Sequence, residues 1–128
     1  MTYLWVAVGA ALGGAFRYWC YGAAARLGGE LFPWGTLFVN VTGSAVIGFF
    51  ATMTGADGRL LVSPEVRVFV MAGLCGGFTT FSTFSLETLR LAQDRQWLHA
   101  SVNIASSLVL CLAGVWLGHV LASRLNER

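Results

Sequence analysis

Four long apolar stretches dominate this chain of 128 residues. A membrane-crossing helix needs roughly 20 apolar residues, and the stretches at 2–25, 33–53, 65–91 and 98–122 each meet that length. Hydrophobic residues make up 56% and charged residues 11% of the chain. That balance is too apolar for a soluble domain of this size. The expected architecture is an all-α membrane protein, a single domain over 1–128 with four spans. The first stretch lacks the basic leader and cleavage pattern of a signal peptide, so it is expected to remain as a span.

The third stretch carries the sharpest signal. Residues 73–88 read GLCGGFTTFSTFSLET. Gly76-Gly77 and Thr79-Thr80 are poor material for an uninterrupted helix, because glycine carries the backbone-entropy cost and threonine is restricted at χ1. The expectation is a helix broken at mid-membrane, unwound over Gly76–Thr80. Freed backbone groups at that depth need protein, water or an ion as partners. Carbonyls in such a break suit a small hard cation such as sodium, while the restarting helix offers N–H groups to an anion. Phe81 and Phe84, three apart, are expected to stack on one face. Ring edges carry partial positive charge. They also have an ordinary reading as packing residues.

Other polar residues in the spans have paired readings too. Arg17 lies among Phe16, Tyr18 and Trp19; it either faces a polar cavity or snorkels to an interface. Thr36 and Asn40 share one helical face, and Asn40 is either interhelical glue or part of a permeation path. Ser101, Asn103, Ser106 and Ser107 give the fourth span a polar first half. Gly9 and Gly13, Ala10 and Gly14, and Gly114 and Gly118 are spaced for close helix packing. The loops are expected at Leu27–Phe32, Thr54–Pro64 and around Asp94-Arg95-Gln96.

Several function classes drop out. No Ser/His/Asp arrangement or carboxylate pair is present, so no enzyme is expected. Glu87 is the only acid inside a span and is expected to approach an interface. Gly76-Gly77 lacks the lysine of a phosphate loop. Net charge is +2 without a basic cluster, which gives nucleic-acid binding no support. Cys20, Cys75 and Cys111 fall singly in three spans and read as packing residues. All eight basic residues are arginines. In a four-span layout Arg59, Arg67, Arg124 and Arg128 share the side of the N-terminus, and Arg26, Arg90 and Arg95 the other. That is almost no positive-inside bias, as expected either of a weak topology signal or of insertion both ways round.

GGFTTFSTFS followed by Glu87, with Pro33–Asn40 (PWGTLFVN) and Gly13–Tyr18 (GGAFRY) upstream, resembles the Fluc (CrcB) fluoride channels. The resemblance covers all four spans in order. It implies an antiparallel, dual-topology homodimer with two fluoride pores in a bacterial inner membrane, and passive fluoride export without ATP. It implies that Phe81 and Phe84 line the pore with ring edges, that Asn40 donates to fluoride or orients its path, and that Thr36 supports Asn40. Ser82, Thr83 and Arg17 match the anion-attracting vestibule, and Ser107 the polar track of the fourth span. Gly76 and Thr79 match residues whose backbone carbonyls hold a structural sodium at the dimer axis. The fourth span departs from the family pattern: Asn103 stands where a tyrosine is common, and Cys111 where a hydroxyl is expected. The main rival is a small multidrug transporter exchanging protons for cations. It needs a carboxylate in its first helix, where this chain has Arg17.

Overall fold

The computed structural model describes residues 1–28 and 31–127, with the side chain of Leu27 excepted. Every regular element among them is helical. Helix α1 spans Thr2–Gly28 and α2 spans Trp34–Met53. Helix α3 runs through three consecutive pieces, Pro64–Val68, a wider-wound Phe69–Cys75, and Gly76–Phe78. Helix α4 is Phe81–Gln93 and α5 is Trp97–Asn126. Among the described residues, three stretches are long and apolar enough to cross a membrane: Trp34–Met53, Pro64–Gln93 and Trp97–Asn126. Helix α1 is 27 residues long, but Arg17 and a series of Tyr and Trp residues dilute its apolarity. It runs three residues beyond the expected span end, through Gly28. The expected loop at Leu27–Phe32 is therefore shorter; its Gly29 and Glu30, and Arg128 of the arginine census, lie outside the described residues.

Small residues set the packing. A Cβ on Gly9 would come 2.9 Å from the Gly73 Cα, and one on Gly77 would come 2.5 Å from the Ala10 carbonyl oxygen. Two glycine pairs, one on α1 and one on α3, thus bring these backbones together, as small residues do in lipid. Gly118 does the same on α5, where a Cβ would stand 2.1 Å from the Ala45 carbonyl oxygen of α2. The Phe16 and Phe78 rings stack across α1 and α3 at 5.3 Å.

Caps and turns follow local chemistry. Ser63 accepts from the Val66 N–H at 3.4 Å, and Pro64 occupies the first helical position that suits it. Helix α4 ends in a Schellman turn: Gln96 N–H donates to the Leu91 carbonyl at 2.8 Å and Arg95 N–H to Ala92 at 3.1 Å. The left-handed residue is Arg95, with φ 58°. A side chain costs energy in that conformation. Arg95→Gly is therefore expected to stabilise the protein by about 1 kcal/mol, read as a raised melting temperature in detergent; an unchanged or lowered value would contradict the assignment.

Candidate functional site

The break in the third stretch is narrower than expected. Gly76 and Gly77 are helical, with Gly76 at φ −64°, ψ −38°. Winding changes in two steps instead. Phe69–Cys75 widens, with Gly76 N–H reaching back to the Met71 carbonyl, and the chain then becomes extended at Thr79 (φ −86°, ψ 160°) and Thr80 (φ −155°, ψ 115°). The correction has a physical cause. Gly77 is held in helix by its close fit against Ala10, and Thr79 N–H still donates to the Cys75 carbonyl at 3.0 Å. The ladder fails one residue later.

Asn40 is what ends it. The Thr80 N–H, which would continue the ladder to Gly76, donates to Asn40 Oδ1 at 2.7 Å. Asn40 Nδ2 donates back to the Thr80 carbonyl at 3.0 Å. One side-chain amide thereby satisfies both backbone groups of the extended residue. Asn40 Nδ2 keeps a second N–H beyond this pair.

Thr80 also starts the next helix. Its Oγ1 accepts from the Thr83 N–H at 3.2 Å, lies 3.1 Å from Thr83 Oγ1 and 3.2 Å from Ser82 Oγ. The N–H groups of Phe81 and Ser82 remain without intrahelical partners, as at any helix start. Arg17 reaches the break from α1 and donates to the Thr79 carbonyl at 3.2 Å. Of its two expected readings, this geometry gives a guanidinium turned toward the protein.

A groove of about 370 Å³ opens beside the break. Asn40, Gly76, Thr79, Phe81, Phe84 and Ser107 all line it. No charged side chain does, among the described residues. Phe81 and Phe84 sit 5.3 Å apart with planes at 52°. They are tilted rather than stacked as expected. Phe81 is 74% exposed and Phe84 9%. The Ser107 hydroxyl is buried with no protein partner.

Four expected site residues, Arg17 among them, lie outside this groove's wall. Ser82 and Thr83 surround the Thr80 hydroxyl, as above. Thr36 does not turn toward Asn40. It is buried, and its hydroxyl donates to Glu87 Oε1 at 2.8 Å. Glu87 is thus drawn inward to α2, with its other oxygen buried and unpartnered; a side pocket joins it to Arg90, Asp94 and Gln96. Helical rise alone placed Glu87 near an interface, and the threonine that claims it lies 51 positions away.

Two site features escaped the sequence reading. Thr80 is the hub of the break; a threonine directly before an apolar helix start is a capping signal that could have identified it. Asn103 was seen, but not its partner: its Nδ2 donates to Thr88 Oγ1 at 2.9 Å, and its Oδ1 is buried without a partner. No local pattern announces a bond across a turn between helices.

Residues 4–119 match the family described as "CrcB-like protein, Camphor Resistance (CrcB)". Among curated relatives, a protein named "Fluoride-specific ion channel FluC" from Methylocella silvestris is 55% identical over 127 residues, covering 99% of this chain and 97% of the relative. One of the same name from Rhodospirillum rubrum is 58% identical over 127 residues, covering 99% and 98%. A third, from Paramagnetospirillum magneticum, is 56% identical over 127 residues, covering 99% of each.

Proposed function

The chain belongs to the CrcB-like family, and from that premise we propose that it is a fluoride-selective channel that exports fluoride passively. It is a multi-pass protein of the bacterial inner membrane, from a family of ion channels and not of enzymes. The observation that carries the reading is the uncharged groove at the break. It gathers the donors a small anion needs: the spare Asn40 N–H, the unpartnered Ser107 hydroxyl, and the edges of Phe81 and Phe84. A pore must replace an ion's water without holding the ion too tightly. Partial positive charges meet that requirement. Asn40 and Thr80 fix one another, so the donors are placed before the ion arrives.

The remaining roles follow. Ser82 and Thr83 offer hydroxyls at the entrance to α4, and Arg17 adds positive potential at the break. Thr36 orients Glu87 and acts on the path only through it. The working unit is an antiparallel homodimer of four-span subunits with two pores. Near-balanced arginines support it. A structural sodium fits the break. The Gly76 carbonyl has lost its helical donor to Asn40, and the Thr79 carbonyl keeps one lone pair beside Arg17. Such oxygens are hard ligands suited to sodium. Gly76 and Thr79 would hold it, with the same pair from the second copy, and it would brace the break rather than conduct.

Physiologically, hydrogen fluoride enters as a neutral acid and ionises in the cytoplasm, and the membrane potential drives the anion out. Liposomes carrying the purified protein test the reading with a fluoride electrode and a matched chloride experiment. Fast fluoride release with negligible chloride release is the expected result. Equal rates would refute selectivity, and no fluoride release from folded dimer in sodium would refute the channel.

A further inference from the structure

The first half of α5 carries two polar side chains whose bonding the protein leaves incomplete. Asn103 and Ser107 are both buried. They stand four residues apart in one uninterrupted helix, so they share a face with their Cβ atoms about 5–6 Å apart. Each has a buried polar atom without a protein partner, Oδ1 of Asn103 and Oγ of Ser107. A helical serine can give its hydroxyl proton to the carbonyl four residues back. Ser107 makes no such bond; it is Ser106 that donates to the Asn103 carbonyl, at 3.4 Å.

A neighbour fixes the orientation of the Asn103 amide. Thr88 Oγ1 donates its single proton to the Phe84 carbonyl at 2.8 Å. Toward Asn103 it can therefore only accept, which assigns Nδ2 to the 2.9 Å contact and leaves Oδ1 as the free atom. Oδ1 has no proton to give. It cannot serve an anion directly, and leaving it bare costs free energy. A water molecule resolves both points. Buried waters make about three hydrogen bonds to groups that otherwise lack partners. Two bonds of about 2.8 Å span the separation of one helical turn.

We propose that Asn103 is a positioning residue of the anion path, acting through a water held between its Oδ1 and Ser107 Oγ. The water donates one proton to Oδ1 and the other to Ser107 Oγ. Ser107, having accepted, turns its own proton into the groove that it lines. The reverse arrangement, with Ser107 donating to the water, presents oxygen lone pairs to the groove, and an anion there disfavours it. The chain of bonds from Thr88 through Asn103 and the water also polarises the last hydroxyl and strengthens it as a donor. The water site stands on the two orphaned atoms. Its effect on conduction rests on the channel reading above.

The test is a double-mutant cycle in the reconstituted full-length protein, with fluoride efflux as the readout. Asn103→Leu replaces the amide by an apolar group of similar shape, and an unchanged elution profile and melting temperature check its fold. Asn103→Leu and Ser107→Ala are each expected to slow efflux roughly tenfold, the scale of one hydrogen bond. The double variant should be no slower than the slower single variant, because Asn103 acts only through Ser107. Independent roles would multiply to roughly a hundredfold and overturn the positioning, as would wild-type efflux in Asn103→Leu. A crystal structure of the wild-type protein gives a second readout that no folding defect can blur. The crystals are grown without fluoride, since fluoride and water scatter alike. A water bonded to both Asn103 Oδ1 and Ser107 Oγ is expected; a direct bond between the two side chains, or no water there, would overturn the site. That water in a protein that releases no fluoride would uphold the site and refute the channel reading instead.

Discussion

Fluoride efflux is expected to fall at least about a hundredfold in Asn40→Ala, equivalent to roughly 2.7 kcal/mol on the barrier. The substitution removes two things together. The spare N–H is lost to the anion, and the pair of bonds to Thr80 is lost to the fold. Each backbone group left unpaired costs about 1–3 kcal/mol when water cannot reach it, so the extended residue loses its restraint. Asn40→Asp separates the two effects. Its carboxylate still accepts from the Thr80 N–H, but it has no donor for the Thr80 carbonyl or for fluoride, and it adds negative charge. It should retain more of the fold than alanine while conducting no better. Liposome efflux read beside detergent melting distinguishes these outcomes, and wild-type efflux in folded Asn40→Ala would sink the role given to the amide.

Phe81→Ala is expected to give the second large effect, again a loss of about a hundredfold in fluoride efflux, but with the melting temperature hardly changed. The two phenylalanines differ in burial, and that makes the experiment clean. Phe84 is 9% exposed, so truncating it leaves a cavity and costs about 3–5 kcal/mol. Phe81 is 74% exposed on one copy, so little packing within the subunit is lost. What disappears is its ring, centred 5.3 Å from that of Phe84 and lining the groove. Phe81→Met fills a similar volume without an aromatic edge and should conduct as poorly as alanine. Efflux restored by methionine would show that bulk, not the edge, is what the path requires.

Much of the local architecture was legible because it is written at short range. Apolar runs marked the helices that are long enough to cross a membrane. Gly9 and Gly13 were readable as a packing pair from their spacing, though their partners Gly73 and Gly77 were not. The same Gly77 misled the reading of the break. Glycine lowers helix propensity, so unwinding was expected at Gly76-Gly77; there, tertiary contact with Ala10 outweighs propensity, and the missing Cβ serves close approach instead. Asn40, Phe81, Phe84 and Ser107 were named from sequence and meet in one groove. Thr36 was assigned to Asn40 because they share a helical face, yet it serves Glu87.

The sequence by itself determined the solvent this chain requires, the positions of its helices to within a few residues, and the chemical types gathered in the third stretch. Composition and periodicity are local sums, and no partner is needed to read them. Tertiary structure alone decided where the helix breaks, which threonine caps its restart, and which polar groups stay unpaired. Those outcomes turn on single hydrogen bonds between distant residues, such as Asn40 with Thr80 and Thr36 with Glu87. In an apolar medium each backbone or side-chain polar group must find a partner, and which partner it finds depends on where packing brings the helices together.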